Sequence, residues 1–175
     1  MPLKSFQLEF KTVEQGSFTG IASTPDQDLG DDICLPGCFA KTIQQSGKTR
    51  PLLFDHKTCI GTIQIAENAK GLACEGSLAM DVAAARDAHG LMKHFQAAGR
   101  PMGLSIGFTI PPGGSEMRSD GVRLLKEIKL YEISAVVFPM NEMATVTSMK
   151  SHQAEQKVLD ALHQMKREIL NALEK

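Results

Sequence analysis

The residues whose chemistry most needs explaining lie in Pro101-Met-Gly-Leu-Ser-Ile-Gly-Phe108, where the hydroxyl of Ser105 stands between two glycines inside an apolar, strand-like run. Gly103 and Gly107 carry no Cβ, so backbone or substrate can approach the serine closely from either side, as a nucleophile requires. Gly103-Leu-Ser-Ile-Gly107 also has the spelling of the nucleophile elbow, a sharp strand-to-helix turn. The continuation Phe-Thr-Ile-Pro-Pro-Gly-Gly excludes that elbow, because its prolines and glycines forbid the helix. Ser105 is therefore expected in mid-strand. Two further apolar runs, Pro51 to His56 and Leu130 to Pro139, bring His56 and Glu132. A histidine suits proton removal near neutral pH, and a carboxylate can fix its tautomer and stabilise the imidazolium that forms. Taken singly, each has an ordinary structural reading: a serine in a strand packs, and a histidine at a strand end is a satisfied polar cap. Together they supply a nucleophile, a general base and an orienting carboxylate.

For groups so far apart in the chain to meet, strands must carry them. The hydrophobic period is mostly two: Phe6, Leu8 and Phe10 alternate with polar neighbours, as do Thr58 to Ile65 and Leu124 to Leu130, and Asn68-Ala-Lys-Gly71 reads as a hairpin turn. Helices are predicted over Cys38 to Gln45, after Pro36-Gly37, and over Val82 to Ala98, closed by Gly99 and Pro101. The pattern predicts a β-rich α+β chain with helices packed outside, and a closed barrel suits the strand count because closure removes exposed edges. His152 to Lys175 changes period. Val158, Leu162, Met165, Ile169 and Ala172 form the seam of a short coiled coil. Two heptads are too few to hold a partner strongly, so this helix is expected to dock on its own barrel or on a twin subunit. Residues 1–150 thus read as a barrel domain and 151–175 as a C-terminal amphipathic helix.

Composition narrows the function. The chain has 175 residues, 42% of them hydrophobic, enough for a sizeable core. With no Trp, one Tyr and a net charge of -1, base-stacking platforms and phosphate binding are both disfavoured, so no nucleic-acid partner is expected. The N-terminus alternates instead of forming an apolar h-region, so neither export nor membrane spanning is expected. Cys34, Cys38, Cys59 and Cys74 include no C-x-x-C pair and no zinc spacing. They read as small buried hydrophobes in a reducing compartment. Cys59 lies three residues past His56, an odd offset that puts the two on opposite faces of an extended strand. The acidic run Asp26 to Asp32 resembles the start of a calcium loop, but its glycine comes early and Gly37 occupies the twelfth position, so a solvated turn is expected. His89 and His94 sit about 140° apart around their helix and cannot share a metal. Arg118 and Arg123 flank a strand near the site and read as exposed structural arginines. Pro111 to Gly121 reads as a mobile loop able to line or gate a groove.

The order Gly20-Ile-Ala-Ser, the acidic turn from Asp26 to Asp32, Leu35-Pro-Gly-Cys-Phe39, Leu52-Leu-Phe-Asp-His56, Gly61, Gly71-Leu72, Gly103-Leu-Ser-Ile-Gly-Phe108 and Glu132-Ile-Ser-Ala-Val-Val-Phe-Pro-Met-Asn141 resembles the tailed-phage prohead protease family, from about Phe6 to Lys150. That family is similar to the herpesvirus assembly proteases, serine endopeptidases on a β-barrel with surrounding helices that cleave scaffold and capsid proteins inside an immature shell. The resemblance implies His56 as the histidine, Ser105 as the nucleophile and Glu132 as the third member. It implies phage major capsid and scaffold proteins as substrates, inside the prohead in the bacterial cytoplasm, and it calls for no cofactor or metal. A homo-oligomer through the C-terminal helix is the remaining partner expectation, with a tether to scaffold and a self-cleaved segment as the alternatives for that helix. Lys57 and Pro139-Met-Asn-Glu142 depart from the usual pattern and bear on substrate preference. The chain order His56, Ser105, Glu132 matches none of the three familiar triad orders, which is permitted because a triad is defined by geometry. Ser105 Oγ is then expected about 3 Å from one imidazole nitrogen, with Glu132 on the other. The rival from another class is a non-catalytic assembly or scaffold protein. An esterase or lipase is disfavoured by the missing elbow helix, and a thiol nucleophile is a minor alternative.

Overall fold

A computed structural model of the chain describes residues 16–149 and 160–169. Seven strands close a barrel in the order β1 (Ser17–Ser23), β10 (Thr145–Met149), β6 (Gly103–Thr109), β9 (Lys129–Val136), β3 (Thr49–Phe54), β4 (Thr58–Asn68) and β5 (Gly71–Leu78), with β5 returning to β1. β3 runs parallel to β9, pairing Leu52 with Ile133 and Phe54 with Ala135, and the other neighbours in the ring are antiparallel. A second sheet, β2 (Asp32–Cys34), β8 (Arg123–Leu125) and β7 (Ser115–Met117), lies apart from the ring. The β-rich barrel predicted from the alternation is the observed architecture.

Alternation builds these strands. Along β5 the buried residues are Leu72, Cys74, Gly76 and Leu78, one face of a period-two strand. Phe18, Leu52, Ile63, Leu104, Ile133 and Val146 meet inside the ring with essentially no exposure. Burying each such side chain contributes about 1.5–3 kcal/mol relative to leaving it in water. Helix α2 (Ala83–Ala97) buries Ala85, Ala88 and Met92, spaced three and four apart, and ends at Gly99 with φ 72°. Helix α1 (Ala40–Ser46) is held by Arg50 of β3, which is buried. Its guanidinium donates to the carbonyls of Thr42 and Ser46 in α1 and of Leu130 in β9, a tie that links α1, β3 and β9.

Three expectations need correction. The alternation from Leu124 to Leu130 is two strands: β8 ends at Leu125, Lys126 and Glu127 both donate to Gly114 O, and β9 starts at Lys129. Leu125, Ile128 and Leu130 are buried, and the step of three from Leu125 to Ile128 breaks the period of two where the hydrogen-bond partners change. Within 111–121, Ser115–Met117 forms β7, a hairpin with β8 closed by the Arg118 N–H to Val122 O bond. The C-terminal helix covers 160–169 with every residue exposed, Leu162, Met165 and Ile169 included, so over these residues the stripe does not dock on its own barrel. The strand predicted at Phe6 to Phe10, together with Val158 and Ala172 of the seam, lies outside the described residues.

Candidate active site

Ser105 is the third residue of β6, mid-strand as expected, and half-buried. Leu104 points into the barrel with no exposure, so Ser105 points out. Glu132 sits on neighbouring β9, where Ser105 pairs with Ser134 and Gly107 with Glu132. His56 lies past the end of β3, in the turn that reverses the chain into β4. The three residues converge on the outer face of the barrel. His56 Nε2 is 3.0 Å from Ser105 Oγ, and His56 Nδ1 is 2.7 Å from Glu132 Oε1. A carboxylate only accepts, so the bond to Glu132 puts the proton on Nδ1 and leaves Nε2 free to accept from the serine hydroxyl.

The turn that presents His56 is strained and anchored. Asp55 and His56 both adopt left-handed φ, 51° and 56°, a region uncommon for residues other than glycine and worth about 1–3 kcal/mol where a site imposes it. Lys57 N–H closes the turn on Phe54 O at 3.1 Å, and Lys57 pairs with Asp55 at 2.9 Å. Two backbone groups then bind the turn to β9: Asp55 N–H donates to Ala135 O and His56 N–H to Ser134 Oγ, both at 3.1 Å.

Ser134 is the functional residue that sequence reasoning missed. It is fully buried, accepts from the His56 N–H, and donates to Glu132 Oε2 at 2.8 Å. One hydroxyl therefore fixes the histidine backbone and the carboxylate together. The signal was available: Glu132-Ile-Ser134 places the serine on the same strand face as the glutamate. The glycines also act differently from expectation. A Cβ on Gly107 would strike Glu132 Oε1, and one on Gly103 would meet the Pro139 ring at 2.5 Å. The space beside Ser105 is occupied by the Glu132 carboxylate on one side and by the Pro139 ring on the other.

A cleft of about 260 Å³ opens beside Ser105, lined among others by Asp28, Asp32, Arg123, Met140 and Asn141. Arg123 donates to both carboxylate oxygens of Asp32 at 2.7 Å, and this bidentate bond raises its pKa further. Arg118 pairs instead with Asp120 on the β7–β8 turn, holding that carboxyl down at about 2. In the acidic run, Asp28 Oδ1 accepts from the N–H groups of Gly30 and Asp32, the work of a turn residue. The cysteines depart from expectation in two places: Cys59 is exposed and Cys34 half-buried, while Cys38 and Cys74 are buried. The chain reverses between His56 and Cys59, so no single strand carries both and the odd-offset argument does not apply. Cys34 is held below the usual thiol range, chiefly by a hydrogen bond with Cys38, whose own thiol is pushed up by the same bond and by burial.

A nucleophile in contact with a base, the base in contact with a carboxylate, and an adjoining cleft can together transfer an acyl group to and from serine. The family model described as caudovirus prohead serine protease matches residues 6–158. The chain is 34% identical over 144 residues to a prohead protease of Enterobacteria phage HK97, covering 79% of this chain and 62% of that protein. It is 33% identical over 159 residues to a capsid polyprotein of Pseudomonas phage PAJU2, covering 86% of this chain and 23% of that one. The chain thus spans less than two thirds of the curated relatives it matches. No solved structure matches it. A family match over most of the residues, with a relative sharing a third of its positions, makes this chain a member of the caudovirus prohead serine protease family.

Proposed function

We propose that this chain is a serine endopeptidase that cleaves capsid and scaffold proteins, and junctions in its own chain, during prohead maturation. The observation that carries the reading is the hydrogen-bonded series Ser105, His56, Glu132 at 3.0 Å and 2.7 Å, at the mouth of a cleft. Ser105 Oγ attacks the scissile carbonyl carbon as its proton passes to His56 Nε2. The tetrahedral intermediate collapses, the C–N bond breaks, and the leaving amine takes that proton. Water then attacks the acyl-enzyme, gives a proton to His56, and releases the new carboxyl terminus as the proton returns to Ser105. Glu132 keeps its charge throughout and orients the ring, and Ser134 positions Glu132. Capsid protein as substrate draws on the names of the two relatives, one a prohead protease and the other a capsid polyprotein. In this reading residues 1–150 form the catalytic barrel, which works inside the immature shell in the host cytoplasm. The C-terminal helix offers Leu162, Met165 and Ile169 to a scaffold helix or a second copy.

The test is intact mass spectrometry of the major capsid and scaffold proteins co-expressed with the chain or with its Ser105→Ala variant. Defined truncations made by the unmodified chain alone are expected. Identical masses in both samples, with particles still assembling, would replace the enzyme by a structural assembly factor.

A further inference from the structure

We propose that the loop following β9, which carries the exposed Phe138, is the subsite that selects substrate through an apolar side chain next to the scissile bond; this rests on the endopeptidase reading of Ser105. Phe138 is 88% exposed, Leu29 beside the loop 66% and Met140 49%. Looseness does not explain this exposure, because the loop is pinned. Pro139 lies against Gly103, where a Cβ would meet its ring. Met140 O accepts from Leu29 N–H at 2.9 Å, and the Asn141 amide both accepts from Thr24 Oγ1 at 3.1 Å and donates to Thr24 O at 3.2 Å. A rigid loop that keeps large apolar side chains in water forgoes hydrophobic stabilisation, and such patches mark binding sites.

The position of the loop says what binds. Gly103 and Ser105 share one face of β6, about 7 Å apart at ordinary strand rise. Pro139, seated on Gly103, is therefore the next neighbour of the nucleophile on the side away from Glu132. Met140 and Asn141 line the same cleft as Ser105. A polypeptide laid across the cleft with its carbonyl at Ser105 must carry an adjacent side chain onto this lip. The interior of the cleft holds Asp28, Asp32 and Arg123, whereas Val137 to Met140 carry no charge. The lip therefore selects by hydrophobicity. Leu29, Phe138 and Met140 together expose on the order of 400 Å² at ordinary side-chain areas. A stable contact between subunits needs about 800 Å² per partner, so the patch fits a peptide side chain and its neighbours better than a second copy.

The test is cleavage of a randomised decapeptide library by the full chain and by its Phe138→Ser and Phe138→Leu variants, with sites read by mass spectrometry. Rates are normalised to the fraction of Ser105 labelled by a fluorophosphonate, and folding is checked by thermal unfolding. The expected result is an apolar preference at one fixed position within two residues of the scissile bond. Phe138→Ser lowers kcat/KM for those peptides about tenfold, mainly through KM, and flattens the preference, while Phe138→Leu restores most of it. Cleavage with no apolar preference, or the same preference in wild type and Phe138→Ser, overturns the subsite alone. Loss of a dimer in sedimentation by Phe138→Ser, with its preference unchanged, overturns it in favour of contact between copies. Absence of both cleavage and Ser105 labelling in the unmodified chain removes the endopeptidase reading, and the subsite with it.

Discussion

Replacing Gly107 by Ala tests whether the placement of the carboxylate governs catalysis. The new methyl group would overlap Glu132 Oε1 and lie 2.9 Å from Cδ and 3.0 Å from Cγ, against an ordinary carbon–carbon contact of about 3.5–4.0 Å. The glutamate must retreat by about 1 Å to relieve that overlap. Its other oxygen is tied to Ser134, so retreat pulls Oε1 away from His56 Nδ1, and a 2.7 Å bond stretched that far leaves hydrogen-bonding range. A 1 Å misplacement of an oriented group costs about 100-fold in rate, or about 2.7 kcal/mol. The expected outcome is a kcat about 100-fold lower with KM nearly unchanged, because the added methyl group is aimed at Glu132. Glu132→Gln is expected to lower the rate at least as much. Combined with Gly107→Ala it should add little, since both act on one contact. The assay is steady-state cleavage of a capsid-derived substrate, with thermal unfolding as the control for folding. A folded Gly107→Ala protein with kcat within about threefold of the unmodified chain would refute the reasoning.

Three further outcomes follow from the same structure. Ser134→Ala leaves the His56 N–H and one oxygen of Glu132 without their partner, so denaturant unfolding should show a loss of about 1–3 kcal/mol and kcat should fall about tenfold. Gly90→Ala, on the exposed side of α2 with nothing within 4 Å of the added methyl group, should stabilise the fold by about 0.5–1 kcal/mol with no effect on cleavage. Burial pushes the Cys74 thiol up to about 12. A raised folded value means its contribution is complete below the unfolded thiol value of about 8.5 and is lost as pH rises toward 12, at about 1.4 kcal/mol per pH unit. Cys38, also raised, acts in the same direction. Urea unfolding at pH 9 to 10.5 should show this decline, and Cys74→Ala should reduce its slope.

What the sequence reveals of this protein divides along physical lines. An apolar run ended by Pro-Pro-Gly-Gly marked the strand that carries Ser105, and the Gly-Pro punctuation located both helices within two residues, because those signals are local. The partners of each strand are set by closure, and no local pattern states that Thr145 pairs with Gly103 or that β3 lies beside β9. The same limit explains Leu124 to Leu130, where the buried face steps by three from Leu125 to Ile128 as the chain passes from one sheet to another. At the site, residue types together with the family resemblance pointed to Ser105, His56 and Glu132, which the fold brings within hydrogen-bonding distance. The supports were hidden for different reasons: Ser134 looks like any strand serine, and the left-handed turn at Asp55 and His56 has no glycine to announce it. Gly107 was noticed as open space, and only the register with Glu132 shows what fills that space.

The parallel pairing of β3 with β9 has a consequence in arithmetic. A ring of seven strands cannot alternate up and down all the way round; an odd count forces at least one adjacent pair to point the same way. That parity defect falls at β3 and β9, the seam where His56 meets Glu132. Were the pair antiparallel, the turn after β3 would emerge at the opposite rim, and the imidazole would face the wrong end of β9. Adding or deleting a single strand makes the count even and removes the need for the seam, whereas inserting a two-stranded hairpin preserves it. Tolerance to insertion in this barrel should therefore go by twos.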